Sequence, residues 1–241
     1  MRRIIILFTL ILLNVPFAQA GQQEKWINSL ENPKWDIDRL KPDNFISKYI
    51  HYDFSSLLMP KKNFMGYIGT NYRRLKIKFI SVSKNPDDQA KYMVRGYSIV
   101  KKKCDFEGSL EITQIREYEK MHYGADDEYK DQGIKSQGLL LAKYIFNENK
   151  EQKYSGTFKG IMTLFWYVDK SGNIKYDDIE SFSDNYVNNQ YVGTWSQYGR
   201  TTEKVANWGE YRVPFPGDLD IGAGEFGVNP KYYKQGWQDY Q

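Results

Sequence analysis

Between residues 154 and 168 the chain keeps a strict two-residue period. Tyr154, Gly156, Phe158, Gly160, Met162, Leu164, Trp166 and Val168 fall on one face, and Ser155, Thr157, Lys159, Ile161, Thr163, Phe165 and Tyr167 on the other. That period belongs to an extended chain, because a helix would scatter both sets around its circumference. Asp169, Lys170, Ser171, Gly172 and Asn173 then read as a tight turn, and residues 174–178 as a returning strand. Glycines inside so long a strand predict a bent, coiled sheet rather than a flat one.

The same combination recurs. An aromatic two residues before a glycine occurs at Tyr67 and Gly69, Phe106 and Gly108, Tyr154 and Gly156, Phe158 and Gly160, and Tyr191 and Gly193. A ring laid across a strand glycine covers exposed backbone, while the glycine lets the strand bend. Other segments alternate in the same way. Arg74, Lys76 and Lys78 interleave with Leu75, Ile77 and Phe79, giving a strand with a basic outer face. Residues 91–100 return with Tyr92, Val94, Gly96, Ser98 and Val100 on one side, and 104–115 follow with Phe106, Gly108, Leu110 and Ile112 inward. Further strands are expected at 134–147, at 191–195 (short) and at 208–213. The expected fold class is all-β, an antiparallel meander from about residue 65 to 213 that closes into a barrel and hides its edges. A two-sheet β-sandwich is the alternative architecture. Residues 21–64 read as an irregular arm with helical turns at 24–30 and 44–50, packed on the body through Trp26, Trp35, Phe45, Tyr49 and Phe54. The tail, 214–241, is rich in glycine and proline and completes a single domain spanning 65–241.

The N-terminus carries an address. Arg2 and Arg3 precede an apolar run over 4–13, and Ala18, Gln19 and Ala20 form a small-residue cleavage pattern, so residues 1–20 read as a signal peptide cut after Ala20. The run is too short for a permanent span of about 20 residues. Gly21 stands where a lipoprotein needs its lipid-bearing cysteine, so the product is expected to be soluble, in the periplasm or secreted. Processing lowers the formal net charge from +4 to +2 (4 − 2), too little for nucleic-acid binding. Cys104 is the only cysteine, which rules out an intramolecular disulfide, and its strand position favours burial.

Several motifs lose their chemistry in context. Gly222, Gly224 and Gly227 match a dinucleotide fingerprint by letter, but Pro230 follows at once and no βαβ unit can be completed. Asp169 to Asn173 lacks the spacing of a calcium loop, and two histidines with one cysteine do not make a zinc site. No cofactor and no metal is expected. The basic face of Arg74, Lys76 and Lys78 and the run Lys101, Lys102 and Lys103 can attract anions, or simply keep a sheet soluble. The densest group of functional side chains is Trp208, Tyr211, Arg212, Asp218, Asp220, Glu225 and Phe226, with Glu210 beside them. Flat rings, an arginine and carboxylates suit a ligand; paired carboxylates also suit glycoside hydrolysis; the structural alternative is a tail clasped to the barrel.

Phe106 to Ile112, the run from Tyr186 to Trp195, and the stretches NWGEYRVP and DLDIGAGEF resemble uncharacterised exported β-rich proteins of Bacteroidota, to which no activity is attached. The closed meander is lipocalin-like and avidin-like in general architecture, although Gly193-Thr194-Trp195 lies late where the lipocalin G-x-W lies early. The expected function is a non-enzymatic, monomeric binding protein for a small ligand, a glycan or an envelope protein, with an immunity or inhibitor role as one form. A carboxylate-dependent hydrolase such as a glycosidase is the rival.

Overall fold

The computed structural model describes residues 17–34 and 38–240; most of the expected signal peptide (1–16) and Trp35 lie outside them. Ten strands form one antiparallel sheet: β1 (Met65–Ile68), β2 (Arg73–Arg74), β3 (Lys76–Lys84), β4 (Lys91–Ile99), β5 (Lys103–Glu117), β6 (Ser136–Glu148), β7 (Gly156–Val168), β8 (Ile174–Tyr176), β9 (Asn188–Gln197) and β10 (Glu203–Glu210). Their spatial order is β2-β1-β10-β9-β7-β6-β5-β4-β3, with β8 added to the far end of β7. One curled meander, not two facing sheets, is therefore the architecture. The sheet meets itself at Leu75: the amide of that residue donates to the Gly66 carbonyl at 2.8 Å, while Lys76 onward pairs with β4. Beyond Leu75 the seam stays open, which leaves a partly closed barrel.

The inward face is filled with rings. Trp166, Trp208, Tyr191, Tyr92, Phe146 and Phe158 are all fully buried. Tyr191 stacks on Trp208 at 4.9 Å, and Tyr144 meets both edge-on. Rings do cover the strand glycines, but the ring comes from the neighbouring strand and not from two residues before. Tyr144 lies opposite Gly160, which lies opposite Gly193, so one tyrosine spreads over two glycines. A Cβ at Gly160 would sit 2.9 Å from the Tyr144 ring. Phe106 covers Gly96 and Trp195 covers Gly156 in the same manner. Tight curvature and a packed interior thus have one cause, cross-strand aromatic cover of glycine.

The open seam and one barrel end are plugged by the arm. α2 (Ile46–Tyr49) and α3 (Ser55–Leu58) bury Tyr49, Phe54 and Leu58, and Tyr49 packs against Trp166 at 4.5 Å. Backbone pairing ties the approach to β5, with Lys41 N donating to Glu117 O at 2.8 Å and Phe45 N to Ile115 O at 2.7 Å. The first helix is longer than the expected turns: α1 (Phe17–Glu31) lies on the outer face, where Trp26, Ile27 and Phe215 cover Leu141, Ile161 and Val192. Covering the outward positions of β7 explains why Ile161 and Thr163 are buried although they alternate with the core face. The tail wraps the outer side of β1, burying Leu219, Val228 and Trp237 around Tyr67.

Two strand boundaries differ from the sequence reading. β9 runs from Asn188 to Gln197, because Asn188, Asn189 and Gln190 are buried, with the side chains of Asn188 and Gln190 bonded to neighbouring backbone, instead of forming a loop. β10 covers Glu203–Glu210, not 208–213, since Tyr211 takes a positive φ of 66° and turns the chain out of the sheet.

Candidate functional site: the cationic mouth of the barrel

Opposite the arm, four hairpin turns surround an open end: residues 69–72, 100–102, 149–155 and 198–202. Between them lies a cavity of about 780 Å³. Its wall continues the inward face of the strands, with Ile68, Val100, Phe158 and Trp195. Phe158 and Trp195 occupy one rung of β7 and β9 and tilt against each other at 6.4 Å. Below Phe158 the interior is solid, because that ring contacts Trp208 at 5.7 Å. The cavity is a cup over a packed core, with no channel beneath it.

Glu148, the last residue of β6, points inward at this end and is 4% exposed. Its carboxylate accepts hydrogen bonds from the Ser98 hydroxyl, the Gly156 amide at 2.7 Å and the Trp195 indole N–H at 2.9 Å. Burial pushes the carboxyl up from its ordinary range, and those three donors pull it back only in part. The indole is thereby locked edge-on to a carboxylate. One ring face then meets the Lys204 ammonium at 5.7 Å. Cys104 also borders the cup, buried, with its thiol pushed up by burial and by the neighbouring acids.

The rim is basic. Arg73, Lys101, Lys102, Lys153 and Lys204 line the cavity, and among the described residues none of them makes an ion pair. Two carboxylates also border the cup, Glu148 and Glu203, the latter paired with Lys159 at 2.6 Å. Five cations against these two acids leave the mouth with a net positive character.

A second cleft of about 680 Å³ has the opposite character, with Asp38, Asp177, Glu180 and Asp184 beside His122 and Tyr118. Burial pushes Asp177 up to about 6 against the Gln137 amide and the Ile179 N–H that hold it. Two of its acids are already engaged: Gln137 Nε2 donates to the Asp177 carboxylate at 2.7 Å, the Tyr186 hydroxyl donates to the Asp177 carbonyl, and Ser183 donates to Glu180 at 2.8 Å.

The residues singled out in the tail are placed elsewhere. Trp208 is inside the barrel, fully buried. Tyr211 sets its ring edge against Tyr186 at 4.7 Å. Arg212 and Asp220 do come together, at 2.8 Å, and the arginine also donates to the carbonyls of Gly222, Ala223, Gly224 and Glu225. Asp220 accepts from the Gly222 and Gly227 amides, both at 3.0 Å, so the glycine-rich letters fold into a loop around one carboxylate. Asp218 pairs with Lys231 and Tyr232, Glu225 is exposed, and Phe226 packs on Trp237 at 5.7 Å. Glu210 is buried, accepting from the Tyr176 hydroxyl at 3.0 Å and from the Lys62 amide. None of these side chains borders the cup.

Among the described residues no three His, Cys, Asp or Glu side chains gather as metal ligands. The Asp169 carboxylate accepts from the Ser171 and Asn173 amides, both at 2.9 Å, and closes the β7–β8 turn. Of the rim cations, only Lys101 and Lys102 stood out in the sequence, in a run with Lys103. Glu148, Lys153, Trp195 and Lys204 are scattered over a span of 57 positions, and only the meander's up-and-down order gathers them. The readable signal was a cation in or beside each turn at one end of the barrel.

No family model, no curated protein and no solved structure matches this chain.

Proposed function

We propose that this chain is an exported, non-enzymatic binding protein whose ligand, a small molecule, sits in the barrel mouth. The observation that carries the reading is the open cup of about 780 Å³, apolar in its wall and cationic at its rim. Binding is favoured over hydrolysis because three of the four carboxylates considered for catalysis are engaged, Glu210 by Tyr176 and Lys62, Asp220 by Arg212 and two loop amides, Asp218 by Lys231, while the fourth, Glu225, lies exposed on the tail loop away from the cup. A sugar stacked on Trp195 is disfavoured, since Lys204 and Phe158 already lie against that ring. Export and cleavage after Ala20 rest on the sequence pattern; the described docking contacts of α1, Gln22 on Asn207 at 3.2 Å and Trp26 on Thr163 and Phe215, follow Ala20 and survive that cleavage.

The test uses N-phenyl-1-naphthylamine, a neutral apolar fluorophore that brightens in a dry pocket. It is titrated into the processed protein and into Val100→Trp, which fills the cup from its wall. Saturable enhancement in the wild type, abolished by the tryptophan, is the expected result. Equal enhancement in both proteins refutes the mouth as the site.

A further inference from the structure

We propose that the ligand of the mouth is an apolar-bodied anion, held with its body against Phe158 and Val100 and its anionic head outward among Lys101, Lys102, Lys153 and Lys204. The inference rests on the mouth being the ligand site and adds the class and polarity of what binds there.

Three observations lead to it. First, the cations of the rim come from two of the four turns, from the first position of β2 and from the second position of β10, so they ring the opening instead of forming one strip. Among the described residues none of the rim cations makes an ion pair, and Glu203, which also borders the cup, is held by Lys159 at 2.6 Å. Gathered over one opening, the rim cations repel one another, and a bound anion relieves that repulsion. Second, polarity changes with depth. The wall just below the ring is Ile68, Val100 and Phe158, which rewards removing an alkyl or aryl surface from water at about 25 cal/mol per Å². Third, the floor rejects a negative head. Glu148 is already saturated by Ser98, Gly156 and Trp195, and it offers acceptor oxygens, not donors, to anything that reaches it. A head-down anion would face this carboxyl, whereas a head-up anion faces the lysines. One orientation remains.

The occupant is thus one molecule with a single carboxylate, phosphate or sulfate on a hydrophobic body, small enough for the cup. A polyanion is disfavoured by the shallow cup and by the modest net charge of the chain.

The experiment displaces bound N-phenyl-1-naphthylamine with three compounds of equal chain length, each below its micelle concentration: dodecanoate, dodecan-1-ol and dodecyltrimethylammonium. Dodecanoate is expected to displace the probe at least about tenfold more tightly than the alcohol, with the trimethylammonium weakest, and its advantage is expected to shrink as salt is raised. In Lys101→Gln/Lys102→Gln/Lys204→Gln the preference for carboxylate over alcohol should fall toward one. Lys78→Gln/Lys143→Gln/Lys170→Gln removes the same charge from exposed positions away from the cup and should keep the preference. Near-ultraviolet circular dichroism confirms that both variants are folded. Equal displacement by acid and alcohol, tighter binding of the ammonium, or a preference that survives in the rim variant each overturns the assignment while leaving the mouth as the site. Failure of the neutral probe to bind the wild type removes both readings together.

Discussion

Glu117 is where the arm is fastened to the barrel, and replacing it by glutamine tests how the open seam is held. The side chain is 9% exposed and accepts from Lys48 Nζ at 2.6 Å, from Lys41 Nζ at 2.8 Å and from the Tyr49 hydroxyl at 2.6 Å. All three donors belong to the arm, so one carboxylate gathers the segment that plugs the barrel. Burial pushes this carboxyl up, but hydrogen bonds from Lys41, Lys48 and Tyr49 override burial and hold it at about 2 against an ordinary 4.5. Taken at face value, that gap corresponds to about 3 kcal/mol at neutral pH. Both lysines are substantially exposed, at 41% and 56%, so solvent screening reduces the expected loss in Glu117→Gln to about 1–2 kcal/mol. The sign follows from the depressed carboxyl. Its contribution is complete above about 4.5 and disappears as the pH falls through about 2. Urea denaturation of wild type and variant at pH 7, 4 and 2 should therefore show a stability gap that is widest at pH 7 and closed near pH 2. Hydrogen exchange should locate the change, with the amides of Lys41 and Phe45 exchanging faster in the variant. A gap of the same size at pH 7 and pH 2 refutes the electrostatic account, and no gap at pH 7 refutes the clasp altogether.

Glu148→Gln places an amide N–H against the Ser98, Gly156 and Trp195 donors, so it should cost about 1–3 kcal/mol by thermal or urea melts and loosen the Trp195 fluorescence anisotropy. Gly160→Ala drives a methyl into the Tyr144 ring and the Gly193 backbone, with an expected loss of about 1–3 kcal/mol in the same melts. Cys104, 5% exposed with its thiol pushed up, should label slowly with N-ethylmaleimide, and slower still when the mouth is filled. Asp220→Asn weakens the Arg212 clasp and its loop and should lower the melting temperature while leaving probe binding in the mouth unchanged.

The fold was legible where one face meets water and the other meets the core. The alternation of Leu75, Ile77 and Phe79 with Lys76 and Lys78 is what the structure contains, and so is the run from Phe158 to Val168. Legibility failed where a second layer covers the outer face. Asn188, Asn189 and Gln190 read as a loop, yet they are buried in β9, where Asn188 and Gln190 tie neighbouring backbone together. The glycines announced curvature, but pairwise register decides which ring covers which glycine, and register is a long-range property. The tail misled for a related reason. Dense Trp, Arg and Asp resemble a binding site in one dimension, and the same residue types also serve when a loop without sheet pairing must satisfy its own carbonyls, as Arg212 does.

The rings that make the barrel close also decide where a ligand can go. Four strand glycines, Gly96, Gly156, Gly160 and Gly193, are each covered by an aromatic from a neighbouring strand, and those rings converge on the axis. A barrel curled in this way fills its own interior, so it cannot offer the deep cavity that its outline suggests. What remains open is the last rung, where Phe158 and Trp195 have rings below them and only turns above. Turns between antiparallel strands alternate from end to end, and the arm occupies the other end through Tyr49, Phe54 and Leu58. The free end therefore inherits its chemistry from hairpin connections, which tolerate lysine without cost to the core. Specificity in such a molecule resides in the turns, while the aromatic rungs beneath them supply a rigid floor.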